Sequence, residues 1–251
     1  MESIIEWIGK IAVKYWPLYL NGAIGTLSMS ALAVVAGSVA GILVAMLKMN
    51  KLGFHLLSFR NALQVEGEEH VIKPRGKFIR PFSLIATLYI EIIRGTPLMV
   101  QMYFFFYGLP MMFPSINTSA DTAIIVALVL NSAGYMAEII RAGIEAVDKG
   151  QTEAARSLGL SGRDTMLRIV LPQAIKNILP AMCNEFITII KETAIVAVFF
   201  GRDIMTAVKT VQSITYRSIE PLVLAAMIYF VLTFLLSKIV AIFERRLKAS
   251  D

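Results

Sequence analysis

Four ionisable residues fall inside otherwise apolar stretches of this 251-residue chain: Glu91 and Arg94, three apart, and Lys191 and Glu192, adjacent. Placing a charge at the centre of a bilayer costs at least about 2.5 to 3.5 kcal/mol, so idle, unpaired placement is expensive. At 100° per residue, Glu91, Arg94, Leu98, Gln101 and Phe105 share one third of a helical turn and would face a partner rather than lipid. Thr96 belongs to the same polar stretch. Two readings follow for the first pair. Glu91 and Arg94 bind each other and lock a helix kinked over Gly95 to Pro97, or they line a pathway and meet the carboxylate and ammonium of a zwitterionic ligand. Glu192 shares a face with Glu185 and Thr188. If that helix starts near Pro172, Lys191 lies about 27 Å along it, where snorkelling to the outer interface is an alternative to function. Asn131, Tyr135 and Glu138 share another face, suited either to hydrogen bonds between helices or to the same pathway.

Other chemistries lack their residues. His55 and His70 sit in a charged loop, and the single cysteine, Cys183, lies in an apolar run with no histidine near it. No metal-spaced cluster or nucleophile-base pair emerges, which argues against an intramembrane enzyme. The phosphate-binding pattern GxxxxGK(S/T) is absent, so the chain is not expected to harvest ATP itself.

The elements that must position these residues are helices in a membrane. The chain is 57% hydrophobic and 17% charged, with a mean hydropathy of +0.68. Its apolar runs approach the roughly 20 residues that a helix needs to cross hydrocarbon, about twice a barrel strand. The expected class is all-α, a polytopic helical membrane protein of about five spans: residues 20–47, 82–108, 121–141, 176–200 and 221–243. An amphipathic stretch up to Trp16 is expected to lie along the interface before the first span. Gly37 and Gly41 form a GxxxG pattern, a weak signal for close helix packing. Basic residues collect in the 48–81 loop, around 141–176 and after 243, which places these on the cytoplasmic side, with the N-terminus outside and the C-terminus inside. The net charge of +6 is explained by these loops rather than by nucleic acid. No repeat or composition shift divides the chain, which reads as one domain over 1–251.

Between the third and fourth spans, residues 150–172 form a polar, sharply punctuated segment. Good helix formers and small alanines run to Leu158, Gly159 supplies a left-handed corner, and Ser161 followed by Asp164 signals a second start. Pro172 stands past the end of that second short helix, or on the first turn of the next. The expected object is a compact hairpin on the cytoplasmic face.

This segment resembles the EAA signature of permease subunits of ABC-type importers: Glu153, Ala154 and Ala155, then Gly159 after three residues, then Ile169, Leu171 and Pro172 after nine. Tyr89 to Leu98 with Gln101, Ala133 to Glu138 with Arg141 to Ile144, and Lys191 to Ile195 are similar to blocks of the polar amino acid (histidine, glutamine, arginine type) permeases. The likeness covers roughly residues 20 to 245; the 66–77 stretch, EGEEHVIKPRGK, departs from it as an apparent insertion. The resemblance implies a type I importer permease fold with cytoplasmic coupling helices. It implies no cofactor on this chain, with ATP and Mg held by partner ATPase subunits. Those subunits would dock at Glu153, Ala154, Ala155, Leu158, Gly159 and Leu160. It implies an extracytoplasmic substrate-binding protein and a second permease copy, identical or not, in the cell membrane. Glu91, Arg94, Thr96, Gln101, Asn131, Tyr135, Lys191 and Glu192 would line the amino acid pathway. The alternative is a stand-alone secondary carrier or channel that uses Glu91, Arg94 and Lys191 for ion coupling.

Overall fold

A computed structural model describes residues 3–49, 54–55, 78–115 and 119–248. Most of the 48–81 loop, including His70 and the 66–77 insertion, lies outside the described residues. Its edges form a two-residue antiparallel pairing, Phe54 with Ile79 and His55 with Phe78.

The first helix, α1 (Ile4–Met49), is apolar all round, so hydrophobic periodicity cannot mark its buried face. Size marks it instead. Gly22, Thr26, Ser30, Ala33, Gly37, Gly41 and Ala45 recur every three or four positions and are buried. A Cβ at Gly37 would stand 2.5 Å from Ser132 Oγ, and one at Gly41 2.6 Å from Met136 Cβ. The GxxxG is therefore the contact that seats α1 on α5 (Ala120–Glu145), where packing replaces hydrophobic drive. At the other end, a Cβ at Gly22 would stand 2.7 Å from the Asp203 carbonyl oxygen. The expected separate interfacial helix up to Trp16 is absent. Pro17 lies within α1, and Ile11 and Tyr19 are buried against Ile204, Val208, Val211 and Leu224.

After the loop come α2 (Pro81–Gly95) and α3 (Leu98–Tyr103), which continues through a π-helical turn, Phe104–Gly108, into α4 (Leu109–Met112). Thr96, before Pro97, is pushed to extended backbone (φ −118°, ψ 142°), and the chain bends by 106° there. The expected single span over 82–108 is thus two arms, and the five-residue face from Glu91 to Phe105 does not exist as one surface.

α5 is the central element. Ser119 caps it by accepting from the Thr122 N–H, and 56% of its most apolar stretch is buried, against 28% for α1, so other helices pack around it. α6 (Lys149–Ser157) follows, then α7 (Gly162–Asp164), a π-helical turn at Thr165–Val170 and α8 (Leu171–Glu192). The second arm of the expected hairpin is not short: it runs on through Pro172 into α8. Proline supplies no N–H and normally breaks a helix. Here the Leu171 N–H, just before it, reaches the Met166 carbonyl five residues back, which shifts the ladder's register at the proline.

A 3₁₀ stretch, Thr193–Phe199, leads to α9 (Ile204–Thr215) and α10 (Ile219–Lys248). By length and composition, α1, α5 and α10 can each cross a membrane, and the bent pair Pro81–Gly95 with Leu98–Met112 adds a fourth. α8 is not among them; Lys176, Glu185, Lys191 and Glu192 lie along it.

Candidate functional site

The break between α2 and α3 leaves carbonyls of the last turn of α2 without helical partners. Gln101 supplies one. Its Nε2 donates to the Ile93 carbonyl (2.8 Å), the Thr96 carbonyl (3.1 Å) and Thr96 Oγ1 (3.1 Å), while its Oε1 accepts from Asn131 Nδ2 on α5 (3.1 Å). Thr96 Oγ1 in turn donates to the Ile92 carbonyl at 2.8 Å. Gln101 and Asn131 are buried, so they act as the plug that holds the bend against α5 rather than as an open lining. Replacing Gln101 with leucine strands the Asn131 amide and two backbone carbonyls. A loss of about 1 to 3 kcal/mol, read as a lowered unfolding temperature of the purified chain in detergent, is expected.

Arg94 and Glu91 are both exposed but do not pair. Arg94 Nη1 lies 3.8 Å from Glu138 Oε1 on α5, and its guanidinium sits 5.7 Å over the Tyr135 ring. Glu91 makes no ion pair among the described residues. Glu138 is a hub. Lys48 Nζ, from the last turn of α1, donates to its Oε2 at 3.1 Å, Arg141 Nε donates to the same oxygen at 3.1 Å, and Arg141 also grips Oε1 and Glu145. One carboxylate thus ties α1, α2 and α5 together. Glu138 joins helices, one of the two uses expected of the face it shares with Asn131 and Tyr135, whereas Lys48 was not named from sequence. The Glu138–Arg141 spacing of three was a usable signal for half of the cluster. Lys48 and Arg94 reach it only through tertiary packing.

Lys191 and Glu192, at the end of α8, are far from this hub in sequence and make no contact with it among the described residues. Lys191 is exposed at the edge of a cleft of about 420 Å³ lined by Ala194, Met205, Leu222, Ala225, Ala226 and Tyr229. Glu192 is half-buried. Asp203, unremarked in the sequence, is fully buried at the start of α9, where it accepts from the Met205 N–H (3.0 Å), the Thr206 N–H (2.9 Å) and Thr206 Oγ1 (2.7 Å). Burial pushes its carboxyl above the usual carboxylate range, and those donors pull it partly back. An Asp three residues before a Thr at a helix start is a capping signal. Phe200 and Tyr216, flanking α9, hold left-handed backbone (φ 60° and 56°) and are 87% and 92% exposed, conformations that bulky residues rarely adopt.

The hairpin closes as expected. Asp148 caps α6 through the Gly150 N–H at 2.7 Å. At its end the Gly159 N–H donates to the Arg156 carbonyl (3.1 Å) and the Leu160 N–H to the Ala155 carbonyl (3.2 Å), the paired bonds of a Schellman corner, with Gly159 at φ +88°. Ser161 caps the next arm by accepting from the Asp164 N–H at 3.0 Å. Ala155 is buried under the corner, whereas Glu153, Ala154 and Leu158 are exposed, Leu158 at 85%. Val147, Val170, Ala174 and Ile178, with Ile140 and Ile144 beside them, anchor the hairpin to the C-terminal part of α5.

The exposed hairpin, the half-buried ion-pair cluster around Glu138 and the bent helix pair are all carried by one bundle of apolar helices. The chain belongs to the binding-protein-dependent transport system inner membrane component family, whose model matches residues 77–249. It is 38% identical over 235 residues, 94% of each chain, to the arginine transport system permease protein ArtQ of Bacillus subtilis. To the putative glutamine transport system permease protein GlnP of Rickettsia bellii it is 36% identical, over 95% of this chain and 98% of that one. The crystal structure of an amino acid ABC transporter with histidines superposes with a TM-score of 0.81 at 43% identity, covering 98% of this chain and 99% of that one. An inward-facing MetNI methionine ABC transporter, 17% identical with a TM-score of 0.62 over 97% and 99% of the chains, shares the fold. The chain is a multi-pass membrane subunit of the ABC permease class with a type I importer fold.

Proposed function

We propose that this chain forms the translocation pathway of an ATP-driven amino acid importer, and that its 150–172 hairpin receives the work of a separate ATPase. Supporting the substrate class are relatives named for arginine and glutamine transport across nearly their whole length. The observation that carries the coupling role is the hairpin corner itself: Leu158, 85% exposed on a turn closed by two backbone hydrogen bonds, offers an apolar contact that a docked subunit would cover. An ATPase subunit docking there, one for each permease of the pair, would cover it and hold ATP and Mg, with no cofactor on this chain. An extracytoplasmic binding protein delivers the substrate, and a second permease copy completes the pathway. Five crossings, with α8 as the polar one facing the pathway, put the N-terminus outside and both the hairpin and the C-terminus in the cytoplasm. Arg94, exposed beside Tyr135, is the group that meets the substrate carboxylate, and Glu91 the one that meets its ammonium. Lys191 and Glu192 line the same route further along α8.

The test is reconstitution. Vesicles holding this chain with its ATPase subunit and binding protein are expected to accumulate L-arginine or L-glutamine only with internal ATP. Uptake without ATP by the chain alone would instead establish the secondary-carrier alternative.

A further inference from the structure

Glu138 is the one carboxylate among the described residues that is gripped from three helices at once, and its partners are unequal. Lys48 and Arg141 hydrogen-bond to it at 3.1 Å, whereas Arg94 stands at 3.8 Å with no hydrogen bond. Side-chain exposure follows the same order: 19% for Lys48, 27% for Arg141 and 43% for Arg94. Within the five-residue cluster, three cations (Lys48, Arg94, Arg141) face two anions (Glu138, Glu145), and Glu145 is engaged by Arg141. Arg94 is therefore the cation left with the weakest hold. Its other face rests on the Tyr135 ring, one helical turn before Glu138. Ring and carboxylate together fix where the guanidinium points while leaving much of it open.

The cluster also sits where the packing of α1, α2 and the hairpin meets on α5. Ala137, next to Glu138, packs with Ala45 of α1 and Ile90 of α2, and Ile140 joins both that group and the cluster that anchors the hairpin. From this geometry we infer that Glu138 is a positioning residue for transport: it holds Arg94 in a loosely bound, presented state, and it does so from the same turn of α5 that seats the coupling hairpin. The inference rests on the pathway reading of Arg94. A charge-assisted hold of this length is weak enough for a substrate carboxylate to compete with it, and the remaining partners, Lys48 and Arg141, keep Glu138 in place when Arg94 lets go.

The test uses the complete transporter in proteoliposomes, with uptake of radiolabelled L-arginine and L-glutamine measured for Glu138→Gln, Arg94→Gln and the double variant. The assembled complex is quantified in each by the co-purified ATPase subunit. Glu138→Gln is expected to raise the apparent KM roughly tenfold with assembly retained, and Arg94→Gln by a similar factor. In the Arg94→Gln background, Glu138→Gln should add nothing, because its effect runs through Arg94. Glu138→Asp should recover part of the loss. Multiplying effects in the double variant, or a Glu138→Gln transporter that is merely scarcer with an unchanged KM, would overturn the positioning role and leave the Arg94 pathway reading intact. An unchanged KM in Arg94→Gln would overturn both.

Discussion

A valine at position 159 is expected to abolish most ATP-driven uptake while the chain still inserts and folds. Gly159 stands at φ +88°, with open space where a Cβ would go, so the objection to a side chain is conformational rather than steric. Left-handed backbone costs an L-residue roughly 1 to 2 kcal/mol, and a β-branched residue adopts it least readily of all. Relief requires the corner to open, which breaks the two bonds to the Arg156 and Ala155 carbonyls and swings Leu158 away from its present direction. The anchor beneath, Val147, Val170, Ala174 and Ile178, does not involve Gly159, so the bundle should survive. Uptake in reconstituted vesicles should fall at least tenfold, with the amount of permease in the membrane unchanged; a drop of that size equals only about 1.4 kcal/mol of misplaced contact energy. Full uptake in Gly159→Val would remove the hairpin from the coupling role. Gly159→Asn, which tolerates this backbone, should retain most activity.

Leucine at Gly41 is expected to prevent the fold itself. A Cβ there would meet Met136 Cβ at 2.6 Å and the Ala137 backbone nitrogen at 3.0 Å, and backbone cannot move aside as a side-chain tip can. Accommodating the three further carbons requires α1 to lift from α5, which would also separate Gly37 from Ser132 and draw Lys48 from Glu138. Overpacking of this kind costs at least about 1 to 3 kcal/mol locally, and here it is imposed on the main helix-helix contact of the molecule. The expected readout is loss of a monodisperse peak in detergent and a fall in membrane yield. Alanine at Gly9 or Gly95, where nothing lies within 4 Å of the added carbon, provides the matched control and should leave yield unchanged.

The contrast between these two glycines shows which features the sequence carried. Gly159 announces itself, because helix formers precede it and a Ser-x-x-Asp start follows, so the corner and its caps could be read from local chemistry. Gly41 does not: a GxxxG is common in apolar helices, and only the partner surface on α5 gives it meaning. The same division runs through the polar residues. Gln101 and Asn131 were recognisable as polar groups in apolar runs, but their mutual bond depends on a 106° bend for which Pro97 signals a break and not an angle. Glu91 and Arg94, three apart, invited a local pair, and the pairing went instead to Glu138, 44 residues beyond Arg94 by subtraction of their numbers. Pro172 marked a boundary by its chemistry, yet a single turn of wider helix lets the chain run through it. What local rules could not supply, in each case, was the identity of a distant neighbour.

The small-residue stripe of α1 has a consequence for the surrounding lipid. From Gly22 to Ala45 it spans 23 residue steps, about 35 Å at 1.5 Å each, close to the thickness of a bilayer's apolar layer. Because glycines near both ends of that length are pressed against fixed backbone, at Asp203 and at Ala137, α1 has no freedom to tilt independently when the bilayer thins or thickens. α10 is less enclosed: Leu224 and Ala225 near its start and Val240 towards its end are buried, but only 17% of its most apolar stretch is covered. Hydrophobic mismatch is thus expected to be taken up by the less enclosed α10 rather than by α1, which would keep the distance between the two faces of the protein constant.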